Sequence, residues 1–316
     1  MSASYQRVGE GVIAIDTEML RPRLAASHLI IADGHAAFVD VGTTLAAPLL
    51  IEALAASDVD PQDVDYIFLT HIHLDHAGGA GEMARRLPRA QVVMHPRAAA
   101  HMIDPSKLIA ATRAVYGEDH FLQHYGAVPA VPAGRIRVVE DGERLDLGSR
   151  TFEFLHTPGH ALHHVSLHDR AAREMFTGDT FGISYREFDT AAGEFLFPTT
   201  SPTQFDPDQL HTSVDRILRL APDAVYLMHY SRVGHIDRLG ADMHADIDVC
   251  VRLAQGAAAA PDPAAAIAPR LFAHLSQRLD AHGCTLSDAE RHALLDGDVE
   301  LNSAGLAAWL SRSAAR

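Results

Sequence analysis

An α/β fold is what this chain predicts, on three observations: short apolar runs of strand length recur along it, helical stretches lie between them, and the strand pattern of the first half returns in the second. The first-half runs are HLIIA (28–32), AAFVDV (36–41), DYIFLT (65–70) and AQVVMH (90–95), rich in Ile, Val and Phe. Between them, LAAPLLIEALAAS (45–57) carries apolar residues at helical spacing, and GEMARRL (81–87) reads as a second helix. The second half offers RIRVVE (135–140), RTFEFLH (150–156), HVSLHD (164–169), EMFTGD (174–179) and AVYLMHY (224–230). Two facing sheets are expected.

Two helix starts are written locally. Asp60-Pro61 and Asp206-Pro207 each place an Asp cap before a Pro, and the second adds Asp208 and Gln209, predicting a helix over 207–220. Residues 96–130 read as a helical insertion between strands, a segment able to wall a pocket. The Ala/Pro stretch QGAAAAPDPAAAIAP (255–269) reads as a linker, with Ala-rich helix as the competing reading. The organisation expected is a main domain over 1–254, a linker over 255–269 and a helical C-terminal extension over 270–316. That extension is too short to bury a core alone, so it should dock on the main domain or on a second copy of the chain.

Composition excludes several functions. The 316 residues are 47% hydrophobic and 21% charged, an ordinary globular balance. A net charge of -15 disfavours a nucleic-acid partner, because such binding rests on clustered Lys and Arg displacing counterions. Cys250 and Cys284 lack CxxC spacing, so they read as reduced, buried thiols. The N-terminus has no signal-peptide pattern and no window is long and apolar enough for a membrane span, so a cytoplasmic protein acting on a small molecule, away from any membrane, is expected.

Histidine is the unusual count, at 21. THIHLDHAGG places His71, His73, Asp75 and His76 in one short segment that leaves a strand and enters a Gly-containing helix start. Alternation after the strand sends His71 and His73 the same way, and the turn can aim Asp75 and His76 at a neighbouring point. Imidazole and carboxylate together suit Zn²⁺, Fe or Mn²⁺ better than Ca²⁺ or Mg²⁺. The competing reading is a histidine-rich surface loop.

This HxHxDH run resembles the metallo-β-lactamase superfamily, and later elements follow in that family's order: Thr157-Pro158-Gly159-His160, Gly178-Asp179 and Leu227-Met228-His229. The resemblance spans roughly residues 8–240 and implies a four-layer αββα sandwich with metals at one edge. It implies that His71, His73 and His160 hold one ion, that Asp75, His76 and His229 hold the second, and that Asp179 bridges them. Two divalent ions are therefore expected, Zn²⁺ first and Fe or Mn²⁺ as alternatives. By resemblance, a hydroxide bridging the ions would be the nucleophile, and Asp75 would hold or relay its proton in addition to acting as a ligand.

Other residues compete for roles. His156, His163, His164 and His168 crowd the TPGH region and read as supporting or surface groups, His164 first among them. The aromatic segment 181–205 is a candidate substrate wall, in which Tyr185 would donate a hydrogen bond to a carbonyl oxygen; packing is the alternative for it and for its Phe neighbours. Among subgroups, the His and Asp donor set departs from the common β-lactamases, and His73 stands where the diiron oxygen-reducing group usually has Glu. Residues 255–316 show no equivalent of the basic and tyrosine contacts of glutathione thioesterases. The pattern resembles lactonase and esterase-like members, although Gly182 stands where those lactonases place a tyrosine. The expected function is cleavage of an ester, lactone or thioester bond in a small acyl substrate. The alternatives are a metal-retaining regulatory or binding module and a phosphodiesterase, and the C-terminal extension is a candidate homo-oligomer contact.

Overall fold

The computed structural model describes residues 4–201 and 203–314. In chain order its strands are β1 (Tyr5–Gly9), β2 (Val12–Asp16), β3 (Ala26–Ala32), β4 (His35–Val39), β5 (Val64–Phe68), β6 (Gln91–Met94), β7 (Ile136–Val138), β8 (Arg144–Leu147), β9 (Arg150–His156), β10 (Val165–Asp169), β11 (Glu174–Gly178), β12 (Ala224–Leu227) and β13 (Ser231–Val233). They form two mixed sheets, one in the order β1 to β7 and one in the order β13-β12-β11-β10-β9-β8. The first is antiparallel from β1 to β4 and parallel from β4 to β7. With flanking helices and further helices toward the C-terminus, this is the expected α/β sandwich class.

Two compact units divide the chain: residues up to His156 with His163–Gly178 and Ala224–Arg232, and Thr157–Leu162 with Asp179–Asp223 and everything from Val233 onward. The first unit holds both sheets apart from the last residue of β13. It also holds helices α1 (Ala47–Ala56), α2 (Leu74–Ala77), α3 (Ala80–Arg86), α4 (Pro96–Ile103), α5 (Ser106–Tyr116) and α6 (Glu118–His124). Strand alternation divides its core in two. Ile30, Ala37, Val39, Phe68 and Val93 meet Leu145, Phe152, Phe154, Leu167 and Phe176 of the other sheet. Their sequence neighbours Leu29, Phe38, Ile67 and Val92 point the opposite way, against Leu50 and Leu54 of α1, Met83 of α3 and Met102 of α4. Burial on both faces explains why these strands read as continuous apolar runs.

The second unit holds α7 (Pro207–Arg219), α8 (Ile236–Ala257), α9 (Pro263–Ala281) and α10 (Asp288–Ala314). Its apolar stripes, among them Met243 and Ile247 of α8, Leu271, Leu275 and Leu279 of α9 and Leu295, Val299 and Leu306 of α10, are buried. Asp246 of α8 is buried and pairs with Arg278 and His274 of α9. Cys250 and Cys284 are buried free thiols, as expected.

Several expectations need correction. The stretch 255–269 is mostly helix: α8 runs to Ala257 and α9 starts at Pro263, leaving only 258–262 as connection. Alanine's helix propensity prevails there, and Asp262 caps α9 by accepting from the Ala265 amide. Asp60 does cap, accepting from the Gln62 amide, but its helix is a single 3-10 turn (Pro61–Asp63) because Val64 opens β5. The insertion over 96–130 is helical, as α4, α5 and α6. Strands β1, β2, β8 and β13 had not been singled out; β8 and β13 are only 4 and 3 residues long. Among the described residues no helix is long and apolar enough to cross a membrane.

Candidate metal centre

Donor residues collect at strand ends. His71, His73, Asp75 and His76 follow β5 and run into the single turn of α2, so the chain makes a tight corner while carrying four of them. His160 lies between β9 and β10, Asp179 directly follows β11, and His229 lies two residues beyond β12. The sequence-predicted donors fall into three groups, each with donor atoms within 4.8 Å of one another: His71, His73 and His160; His71, His76 and Asp179; Asp75, His76 and His229. All seven predicted ligands appear in these groups. His156, His163, His164 and His168 appear in none of them.

The imidazoles are oriented from behind. His76 Nδ1 donates to Asp40 Oδ2 at 2.9 Å, which turns Nε2 forward to 3.5 Å from Asp75 Oδ2. Asp40 also accepts from the Thr70 amide at 2.8 Å and the Thr70 hydroxyl at 2.7 Å, and Thr70 Oγ1 lies 3.3 Å from His71 Nδ1. One buried carboxylate thus anchors His76 directly and His71 through Thr70. His229 Nδ1 donates to the Leu24 carbonyl at 2.9 Å, leaving Nε2 3.3 Å from Asp75 Oδ2. His160 Nδ1 lies 3.4 Å from the Thr199 carbonyl, and its Nε2 lies 3.5 Å from Asp179 Oδ2. His71 Nε2 and His73 Nδ1 converge at 2.9 Å. Two such imidazole nitrogens repel unless a proton or a cation lies between them.

Glycine permits the close packing. Gly178 has φ +46°, and a Cβ there would meet Thr70 Oγ1 at 2.5 Å and His164 Nε2 at 2.7 Å. Gly159 has φ +131°, and a Cβ there would lie 2.4 Å from the Leu210 backbone of α7. Only glycine fits either position without displacing its neighbours. His164 is fully buried and stacks on His71 with ring centroids 5.0 Å apart.

Burial, reinforced by His73, His95 and His101, lowers the His163 pKa to about 3, so this imidazole beside the group is neutral. His71, His76 and His160 are buried, whereas His73 and Asp75 are half-buried. Tyr185 is buried among Phe188 and Phe197, and its hydroxyl donates to Asp298 Oδ2 of α10 at 2.9 Å. That donor hydrogen is engaged in packing the second unit.

Two residues near the group had been given no role at it from the sequence. Asp40 sits at the end of the apolar run AAFVDV, and a buried charge there was the available signal. Tyr125, just beyond α6, packs with Leu74, Met19 and Phe121 beside the turn that carries Asp75. Burial, then Tyr116 and Asp75, raises its pKa, so the phenol keeps its proton.

Comparison with known proteins identifies the family. The profile of the metallo-beta-lactamase superfamily matches residues 20–229. The metallo-beta-lactamase fold-containing protein ST1585 of Sulfurisphaera tokodaii is 28% identical over 169 residues, 52% of this chain and 60% of that one. The hydroxyacylglutathione hydrolase of Aeromonas salmonicida is 28% identical over 204 residues, 64% of this chain and 59% of that one. The chain thus spans about 60% of the length of these curated relatives. A metallo-beta-lactamase family protein from Thermus thermophilus, TTHA1429, superposes with a TM-score of 0.69 at 18% identity, covering 96% of this chain and 94% of that one, a likeness of fold alone.

Proposed function

The chain belongs to the metallo-beta-lactamase superfamily, and from that premise we propose that it is a dinuclear metal-dependent hydrolase cleaving an ester, lactone or thioester bond in a small acyl substrate. The observation that carries this reading is the set of three overlapping donor groups, which share His71 and His76. His71, His73 and His160 would hold one ion and Asp75, His76 and His229 the other. Asp179 would bridge, since its group draws one histidine from each set. The donors fit: all are imidazole nitrogen or carboxylate oxygen, and three of the imidazoles are turned forward by a carboxylate or a carbonyl behind them. Such a set suits Zn²⁺ first, with Fe or Mn²⁺ as alternatives.

When bound, divalent ions lower the pKa of a coordinated water to about 7 and polarise a carbonyl oxygen. The protein's own part is orientation and proton handling. Asp75 Oδ2 lies 3.3 Å from His229 Nε2 and 3.5 Å from His76 Nε2, on the half-buried side, where it is placed to take a proton from the attacking water and return it to the leaving group. Asp40 holds His71 and His76 still while that happens. Tyr185 has no part in this proposal, because its hydroxyl serves Asp298. The relatives named as hydroxyacylglutathione hydrolases support an acyl compound as substrate.

The test is purified protein loaded with Zn²⁺ or Mn²⁺ and offered lactones, aryl esters, thioesters and phosphodiesters. Metal-dependent turnover of at least one of the first three is expected. Turnover of phosphodiesters alone would overturn the acyl reading, and no turnover at all would favour a binding module.

A further inference from the structure

The second unit contains a cavity of about 220 Å³ whose walls include Leu162, Gln204, Phe205, Asp206, Trp309 and Arg312. Leu162 is two residues beyond His160, so their Cα atoms are at most about 7.6 Å apart. Gln204 is fastened to the same loop, its Oε1 accepting from the Leu162 amide at 2.8 Å. The cavity therefore shares a wall with the segment that presents His160.

Its chemistry is selective. Arg312 Nη2 donates to the Phe205 carbonyl at 2.7 Å, and among the described residues its guanidinium has no further hydrogen bond and no ion pair. Asp206, the one acidic wall residue, is already engaged: its two oxygens accept from the Gln209 amide and from Gln209 Nε2 as it caps α7. Trp309 is the only tryptophan in the chain, and its ring meets Phe205 edge-on at 6.3 Å. Leu162 is an exposed large hydrophobic residue at 39%. A cation with no acidic partner among the described residues, an indole and an exposed leucine thus surround one small space, in a chain whose net charge is -15.

We propose that this cavity is a substrate subsite for an anionic group carried on an apolar or aromatic body, with Arg312 taking the anion by charge-assisted hydrogen bonds and Trp309 taking the body. Building on the hydrolase reading above, it narrows the substrate class to acyl compounds that carry a carboxylate besides the bond that is cleaved. Arg312 and Trp309 stand on α10, which places substrate selection in the C-terminal helix.

Trp309 supplies its own probe, since the indole emission of the protein, excited apart from its tyrosines, is that of this single residue. Metal-free protein is titrated with 3-phenylpropionate and, in parallel, with its neutral twin 3-phenylpropionamide. A saturable change in emission is expected for the anion and a response at least ten-fold weaker in affinity for the amide. Arg312→Gln should weaken the anion by about ten-fold or more, and Arg312→Lys by less. An equal response to the two compounds, an absence of saturation, or an anion affinity untouched in Arg312→Gln would overturn the subsite. With metal-loaded protein, Arg312→Gln should raise KM more for a carboxylate-bearing aryl ester than for its neutral counterpart. Equal KM effects on the two esters would overturn the subsite while hydrolysis stands; saturable, anion-selective binding without turnover of any ester, lactone or thioester would uphold the subsite as a ligand site while the hydrolase reading fails.

Discussion

Asp40 carries more of the centre than its place in the sequence suggests. It is 2% exposed, has φ +51°, and accepts from His76 Nδ1, the Thr70 amide and the Thr70 hydroxyl. Replacing it with Ala leaves His76 free to rotate and removes the support that reaches His71 through Thr70. Asp40→Ala is expected to weaken divalent-ion binding by about 10- to 100-fold, read by competition with a chromogenic chelator. An unchanged affinity would remove Asp40 from the account. The seven donors themselves could be read from the chain because four of them stand within a six-residue span and the others sit in short, ordered motifs. Asp40 could not, because its partner His76 is 36 residues away and the pairing exists only once β4 and β5 lie side by side. The hydroxyl partner of Tyr185 was hidden for the same reason: Asp298 is 113 residues further on.

At the scale of elements, α7 is the prop behind His160. Its cap residue Asp206 donates its amide to the Gly159 carbonyl at 2.8 Å, Leu210 packs where a Cβ on Gly159 would stand, and Ser213 Oγ donates to the Pro158 carbonyl at 2.6 Å. The start of this helix was legible because its code is local: Asp206 accepts from the Gln209 amide, and Pro207 occupies the first helical position. Asp206→Ala should lower the free energy of unfolding by about 1 kcal/mol, measured by denaturant titration, with a correspondingly less ordered His160 loop. No loss of stability would mean that the cap is redundant. The helices around residues 255–269 were read as a linker because an Ala/Pro composition is compatible with both states, and the deciding Asp262 cap is recognised only when the helix it begins is known. Strands β8 and β13 escaped notice because 4 and 3 residues are too few for alternation to register.

For the whole molecule, the two mixed sheets were foreseeable from their apolar runs, and burial on both faces is why those runs lack clean alternation. The central claim is that the seven donors bind two divalent ions. Its most direct test is metal analysis of the protein after loading with Zn²⁺ and desalting, beside the double variant His71→Ala, His73→Ala. Close to two ions per chain are expected in the natural protein, with a marked loss in a variant that keeps its circular dichroism spectrum. Undiminished stoichiometry in the folded variant would contradict the assignment.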